Sequence, residues 1–303
     1  MLYSLKGNKI KALRENDFRL EKEIQHLVET NIDSLLGLNF VSTEFSINNF
    51  RIDTLGFDKE NNAFIIIEYK RGRNESLIDQ GYTYLNILLD RKADFVLKYN
   101  EIYDTNLRIN DIDWAQSRVI FISPKFTDYQ IKANDFKNNP IDLIQITRYE
   151  NDIIEMDKIK KNSNIRFEIN GADDDNIVNK VDKEIKVYTE DDHLIKPSEK
   201  IKEVYYNIRD RLLEWDNVEI QPKKLYIAFK GVTNITDIEL RSKDMKIFIN
   251  LKKGELDDPK QLAVDCSEKG HWGNGDYEII IKDDSEIEYI LSLIRQALNK
   301  NKK

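Results

Sequence analysis

Asp53, Glu68 and Lys70 are the residues whose types and spacing could do chemistry together. The segment Arg51-Ile-Asp53-Thr-Leu-Gly-Phe-Asp58 leads through Lys-Glu-Asn-Asn (59–62) into Ala63-Phe-Ile-Ile-Ile-Glu68-Tyr-Lys70. If residues 59–62 close a hairpin, Asp58 faces Ala63 and Asp53 falls opposite Glu68. Side chains alternate along a strand, so Lys70 shares the face of Glu68. Two carboxylates and an ammonium then meet at one sheet end, beside apolar Leu55, Phe57, Phe64 and Ile66. Opposed like charges destabilise a sheet, and burial adds to the cost unless a cation neutralises them. A divalent metal held by hard oxygen ligands, Mg²⁺ or Mn²⁺, is one such cation. Lys70 is the other, and with it the cluster is a structural salt bridge. Charge and spacing leave both readings open.

The elements that must position these residues can be read from hydrophobic period. Leu20, Ile24, Leu27, Val28 and Leu35 recur at helical spacing over 17–36, with Gly37 placed as a C-cap. Strands are expected at about 41–47, 50–57 and 63–71, the last apolar and β-branched as a central strand should be. A helix follows at about 75–90, a strand at 93–98, a strand at 117–122, a helix at about 126–137 and a strand at 141–149. The polar stretch 161–184, rich in Asn and Asp, reads as a linker. Beyond it come a helix at about 198–215, strands at about 224–230, 235–241 and 245–251, a Gly-rich loop, a strand at 277–282 and a helix at 285–299. The expected organisation is therefore a domain over 1–160, a linker over 161–184 and a small α+β domain over 185–303.

Asp53 followed by Glu68-x-Lys70 on the next strand, behind an acidic helix, resembles the PD-(D/E)xK nuclease superfamily. The resemblance covers roughly residues 17–150, and the order helix, three strands, helix, strand matches it too. It implies a restriction-endonuclease-like mixed sheet flanked by helices. It implies a metal-dependent nuclease in which Asp53 and Glu68 hold Mg²⁺ (or Mn²⁺) and Lys70 positions or activates the attacking water. It also implies an acidic residue on the first helix, Glu21 or Glu23; Glu21 lies nearer the apolar stripe and is preferred. Gln80-Gly-Tyr-Thr-Tyr84 resembles the Gln-x-x-x-Tyr element of RecB-like members, and its spacing puts Gln80 and Tyr84 on one helix face. The partner implied is nucleic acid, DNA ahead of RNA. Arg71 and Arg73 at the strand exit could meet backbone phosphates, or form a solvated basic turn. A fold that keeps the site without turnover, as a binding module, is the competing reading.

Composition bounds the rest. The 303 residues are 40% hydrophobic and 34% charged, with net charge -8. Residues 1–160 and 161–303 share that charge equally, so neither half is a basic nucleic-acid tail. The longest apolar run, Ala63 to Ile67, is far short of a membrane span. Met1-Leu2-Tyr3-Ser4-Leu5-Lys6 has no apolar segment behind it that would make a signal peptide. The single cysteine, Cys266, excludes an internal disulfide framework. A soluble, cytoplasmic protein is expected, with a homodimer left open. The second half resembles an uncharacterised accessory domain family whose chains are often labelled predicted transport protein, a label these residues do not support. His26 reads as a surface residue and His193 as capping or solvated. His271 sits with Trp272 in a Gly-rich loop, Lys269 to Asp276, whose ligand, if any, the residues do not name.

Overall fold

A computed structural model describes residues 2–72, 76–162, 165, 176–268 and 274–300. The chain divides into two compact units, Met1–Val187 and Tyr188–Lys303.

The first unit opens with a small two-stranded sheet, β1 (Tyr3–Lys6) and β2 (Lys9–Ala12). Its main sheet has six strands: β3 (Asn39–Ile47), β4 (Phe50–Asp58), β5 (Ala63–Tyr69), β6 (Arg118–Ser123), β7 (Ile141–Tyr149) and β8 (Ile153–Lys158). They lie side by side in chain order. β3, β4 and β5 pair antiparallel, β5, β6 and β7 parallel, and β7 with β8 antiparallel. This is the mixed sheet flanked by helices that the resemblance implies. Every residue of β5 is buried, because apolar clusters cover both sheet faces. One cluster joins Leu55, Phe57, Phe64 and Ile66 to helix α3 (Leu77–Asp90) and α4 (Lys92–Tyr103). The other joins Ile65, Ile67 and Tyr69 to α1 (Glu21–Thr30) and α2 (Ile32–Leu36). Ile24, Val28 and Ile32 make the buried stripe of that helical segment, which breaks at Asn31 and ends at Gly37 with φ 65°. The left-handed conformation at Gly37 is one that a side chain would resist.

Four parts of this unit differ from the sequence expectation, the first being the unexpected β1–β2 hairpin. Residues 92–103 are a helix where a strand at 93–98 is expected. Phe95, Val96 and Tyr99 face the core while Leu97 is 59% exposed, a helical alternation that a short apolar run conceals. The strand β8, not among the expected strands, closes the sheet edge, whereas α5 (Asp128–Asn134) precedes β7 as expected. The stretch expected as a linker holds α6 (Ile177–Glu184), which packs on α3 with Val181 and Ile185 inside the core. The compact unit therefore runs past 160 to Val187. Part of the expected linker (163–164 and 166–175) lies outside the described residues. Val181→Ala should cost the full chain roughly 1–3 kcal/mol, as core truncations do. A denaturation midpoint equal to that of the parent would show α6 to be a mere connector.

The second unit carries α7 (Glu190–His193), α8 (Glu199–Leu213), a six-stranded antiparallel sheet and α9 (Ile287–Lys300). The strands are β9 (Glu219–Pro222), β10 (Ile227–Lys230), β11 (Asn234–Leu240), β12 (Met245–Ile249), β13 (Val264–Asp265) and β14 (Tyr277–Ile281), in the order β13-β14-β12-β11-β10-β9. Tyr205, Ile208, Ile290 and Ile294 pack on one sheet face, giving the small α+β domain expected. His193 is half-buried, with Nε2 2.7 Å from the Lys223 carbonyl, rather than solvated. Lys269 to Gly273, including His271 and Trp272, lie outside the described residues.

Candidate functional site

The β4–β5 turn sets the geometry. Asp58 Oδ1 accepts the Asn61 backbone N–H at 3.1 Å, and Asn62 takes a left-handed φ of 48°. Asn tolerates that conformation, so the four-residue turn holds the pairing Asp58↔Ala63 through Thr54↔Ile67. The next pair along is Asp53 opposite Glu68. At that step the strands exchange side-chain bonds for ladder bonds. The Asp53 N–H donates to Glu68 Oε1 at 3.0 Å, and the Tyr69 N–H donates to Asp53 Oδ2 at 3.2 Å. Each carboxylate is thus fixed by the backbone of the other strand.

Glu68 is 2% exposed. Its Oε2 accepts from Lys70 Nζ at 3.4 Å and from Gln80 Nε2 at 3.0 Å. Gln80 also donates to the Tyr84 hydroxyl at 3.1 Å, which itself donates to the Arg51 carbonyl at 3.1 Å. The i,i+4 pair on α3 therefore belongs to the cluster. Burial, and then the Asp53 charge, push the Glu68 carboxyl up to about 7. Burial likewise raises Asp53, against the pull of the Tyr69 N–H and Lys70. Tyr84 is raised to about 12 by burial and by Glu68. One ammonium thus stands against two carboxylates in a desolvated place.

Glu21 sits apart from this trio. It opens α1, which covers the other sheet face, and its Oε1 accepts the Arg71 N–H at 2.8 Å just beyond the end of β5. Its charge still reaches Asp53 and helps to raise it. Glu23 instead pairs with Arg148 at 3.6 Å. The Arg71 guanidinium is exposed and bonds the Arg19 carbonyl. Leu20, Glu21, Arg71 and Gly72 line an open cavity of about 550 Å³. Arg73 lies outside the described residues. Among the described residues, no three His, Cys, Asp or Glu side chains are grouped to share a metal ion. The donors that fit one are Asp53 and Glu68, a hard pair with surplus negative charge. Mg²⁺ commonly takes one or two carboxylates and fills its remaining positions with water and substrate phosphate.

Behind the site lies a polar network that the sequence reading missed. Gln25 Nε2 donates to the Asp53 carbonyl at 2.9 Å and to Glu29 Oε1 at 2.9 Å. Thr54 Oγ1 donates to Glu29 Oε1 at 2.6 Å and lies 3.1 Å from the Tyr69 hydroxyl, which must then donate to it. These groups grip the strand segments on either side of Asp53 and Glu68. The available signal was Gln25, a polar residue beside Ile24 within the buried stripe of α1.

Fold and site together define a mixed α/β unit with two backbone-held carboxylates at a sheet end, Glu68 buried and Asp53 half-buried, joined in sequence to an α+β unit. Residues 190–301 match the family described as "Domain of unknown function (DUF5655)". Over 301 residues the chain is 48% identical to a Haemophilus influenzae protein described as "Uncharacterized protein", spanning 98% of this chain and 99% of that one. The chain belongs to the family of that Haemophilus protein. Among solved structures it is similar to the EndoMS–dsDNA2 complex at 20% identity and a TM-score of 0.27, over 39% of this chain and 42% of that chain. A repair endonuclease from Pyrococcus abyssi is similar at 21% identity and 0.22, over 40% of this chain and 44% of that chain. The chain spans less than half the length of either solved chain. No helix among the described residues is long and apolar enough to cross a membrane.

Proposed function

We propose that the first unit is a metal-dependent nuclease that hydrolyses DNA phosphodiester bonds, with the second unit as an accessory domain. The observation that carries this reading is the meeting of Asp53, Glu68, Lys70 and Gln80 at one sheet end, with both carboxylates raised by burial and Glu68 further by the Asp53 charge. Functional sites are where burial and like charges are arranged to perturb acids in this way. The choice of DNA over RNA, and of a nuclease at all, follows the PD-(D/E)xK resemblance. Its setting would be the cytoplasm.

Asp53 and Glu68 would hold Mg²⁺ or Mn²⁺. When bound, the cation supplies charge neutralisation for the phosphoryl group and acidity for a water. The chain's own residues do the rest. The backbone N–H groups of Asp53 and Tyr69 hold the two carboxylates in place. Gln80 fixes Glu68 from the helix side, and Tyr84 fixes Gln80. Lys70, once drawn off Glu68, has an ammonium to orient the attacking water. Arg71, exposed at the strand exit, can meet a backbone phosphate.

The test is cleavage of plasmid DNA and of an equal-length RNA with Mg²⁺, Mn²⁺ or EDTA. DNA should be cut with either metal and not with EDTA, and Asp53→Asn should lower the rate by at least a hundredfold. A parent protein that cuts neither nucleic acid under any condition would overturn the reading. The net charge of -8 and the Lys70–Glu68 ion pair, which compensates the cluster internally, favour a second reading. In that reading the fold is a binding module without turnover.

A further inference from the structure

The first fourteen residues hold Lys6, Lys9, Lys11 and Arg14 and no acidic side chain, in a chain of net charge -8. They fold as the β1–β2 hairpin, turned at Gly7 with φ 60°. Tyr3 pairs with Ala12, Ser4 with Lys11, Leu5 with Ile10 and Lys6 with Lys9. Paired residues share a face and faces alternate, so one face carries Tyr3, Leu5, Ile10 and Ala12. The opposite face carries Ser4, Lys6, Lys9 and Lys11. Tyr3, Leu5 and Ile10 are 55%, 68% and 70% exposed, so this hairpin is not built to fill a core. Lys6 opposite Lys9 is a like-charge pair, which weakens a ribbon that is marginal alone. Of the basic face, Lys11 alone has an ion-pair partner among the described residues, Glu150 at 2.9 Å.

The hairpin is anchored at the C-terminal end of β7, and the chain that follows it leads back to the exit of β5. Its base closes through the Leu13 N–H to the Leu2 carbonyl. Glu15 then bridges to Tyr149, and the Asn16 N–H donates to the Arg148 carbonyl at 2.7 Å. Tyr149 ends β7, and parallel β5 runs toward the same side of the sheet, where the register sets Glu68 level with Leu143, six residues before Tyr149. The chain continues past Arg19, bonded by Arg71, to Glu21.

We propose that this hairpin is an arm that grips the phosphate backbone of duplex DNA beside the candidate site, through Lys6 and Lys9 with Lys11 and Arg14 behind them. A two-stranded ribbon is narrow enough to enter the major groove, where its apolar face can lie against base edges. The lysines contribute a contact that is independent of sequence and sensitive to salt. The proposal rests on the nuclease reading for its choice of polyanion, but not on turnover.

The experiment is fluorescence anisotropy of a labelled DNA duplex with the full chain in EDTA, so that nothing is cut, across a range of NaCl. Lys6→Glu with Lys9→Glu should weaken binding at least tenfold. It should also lower the slope of log K against log salt by roughly 2, as loss of two phosphate contacts requires. Lys196→Glu with Lys200→Glu makes the same charge change on exposed residues of the second unit and should shift affinity less than twofold. Lys6→Gln with Lys9→Gln, which removes the like-charge pair without adding acid, should lower the slope equally if the hairpin stays folded. A parent that does not bind duplex DNA, or arm variants that keep the parent slope, would overturn the proposal. So would a concentration-dependent dimer abolished by Leu5→Asp with DNA binding intact, which would make the apolar face a contact between copies. Cleavage by the parent with unaltered binding by the arm variants would fail the arm alone. Binding through the arm without cleavage would fail the nuclease alone.

Discussion

Between pH 5 and pH 8 the stability difference between the parent protein and a Glu68→Gln variant should swing by roughly 1–3 kcal/mol in the variant's favour. The sign follows from the raised carboxyl. Glu68 titrates near 7 when folded, against an ordinary value of 4.5. The native state therefore holds its proton more tightly than the unfolded chain does. Stability contributed by that proton is complete below about 4.5 and is lost as pH climbs through about 7. Glutamine cannot ionise, so its stability carries no such loss, whatever constant offset the amide brings beside Lys70. Denaturant midpoints of both proteins at the two pH values check this. A difference that stays flat would mean that Glu68 ionises freely and that the cluster stores no repulsion. A bound cation requires the deprotonated acid, so the rise in melting temperature caused by Mn²⁺ should grow as pH passes 7 in the parent and vanish in the variant.

That the carboxylates face each other was legible because a short turn and a strict alternation leave a hairpin few registers. Asn61 and Asn62 are turn residues for a physical reason, one bonding Asp58 and the other accepting a positive φ. Alternation then put Asp53, Leu55 and Phe57 on one face with Glu68, Ile66 and Phe64. Gln80 and Tyr84 were legible as a pair through helical spacing. Their bond to Glu68 was not, since it depends on how α3 lies across the sheet. Gln25, Glu29, Thr54 and Tyr69 were hidden for the same reason: they meet only once α1 packs on the opposite face. The helix Lys92–Tyr103 was lost to a local apolar run whose tertiary partners decide its period. The hairpin at Tyr3–Ala12 had a signal, alternation around Gly7-Asn8, but it has no apolar run to draw attention. The helix inside 161–184 was obscured by polar flanks; among the described residues there, Val181, with Ile185 just beyond, reaches deep into the core.

Lys70→Ala should separate chemistry from architecture. The Lys70 side chain is 12% exposed and its Nζ lies 3.4 Å from Glu68 Oε2, so the pair is largely withdrawn from water. Removing the ammonium leaves Asp53 and Glu68 facing each other uncompensated, and breaking a buried pair costs about 3–5 kcal/mol when the remaining charge persists. Glu68 has an escape, because it can take up a proton. The loss should therefore be small at pH 5 and approach that range only above pH 7, where protonation becomes costly. Mn²⁺ can replace the missing positive charge, so it should restore more stability to the variant than it adds to the parent. If Lys70 orients the water, cleavage should be lost in that same metal-stabilised variant. Metal then restores stability without restoring cleavage, a separation that a purely structural lysine would not produce. Retained cleavage would remove Lys70 from the chemistry. A variant that is destabilised equally at both pH values, with no response to Mn²⁺, would reduce the cluster to a salt bridge. The first unit would then be better read as a binding module, because two carboxylates that neither hold a cation nor need their lysine for turnover have no catalytic use.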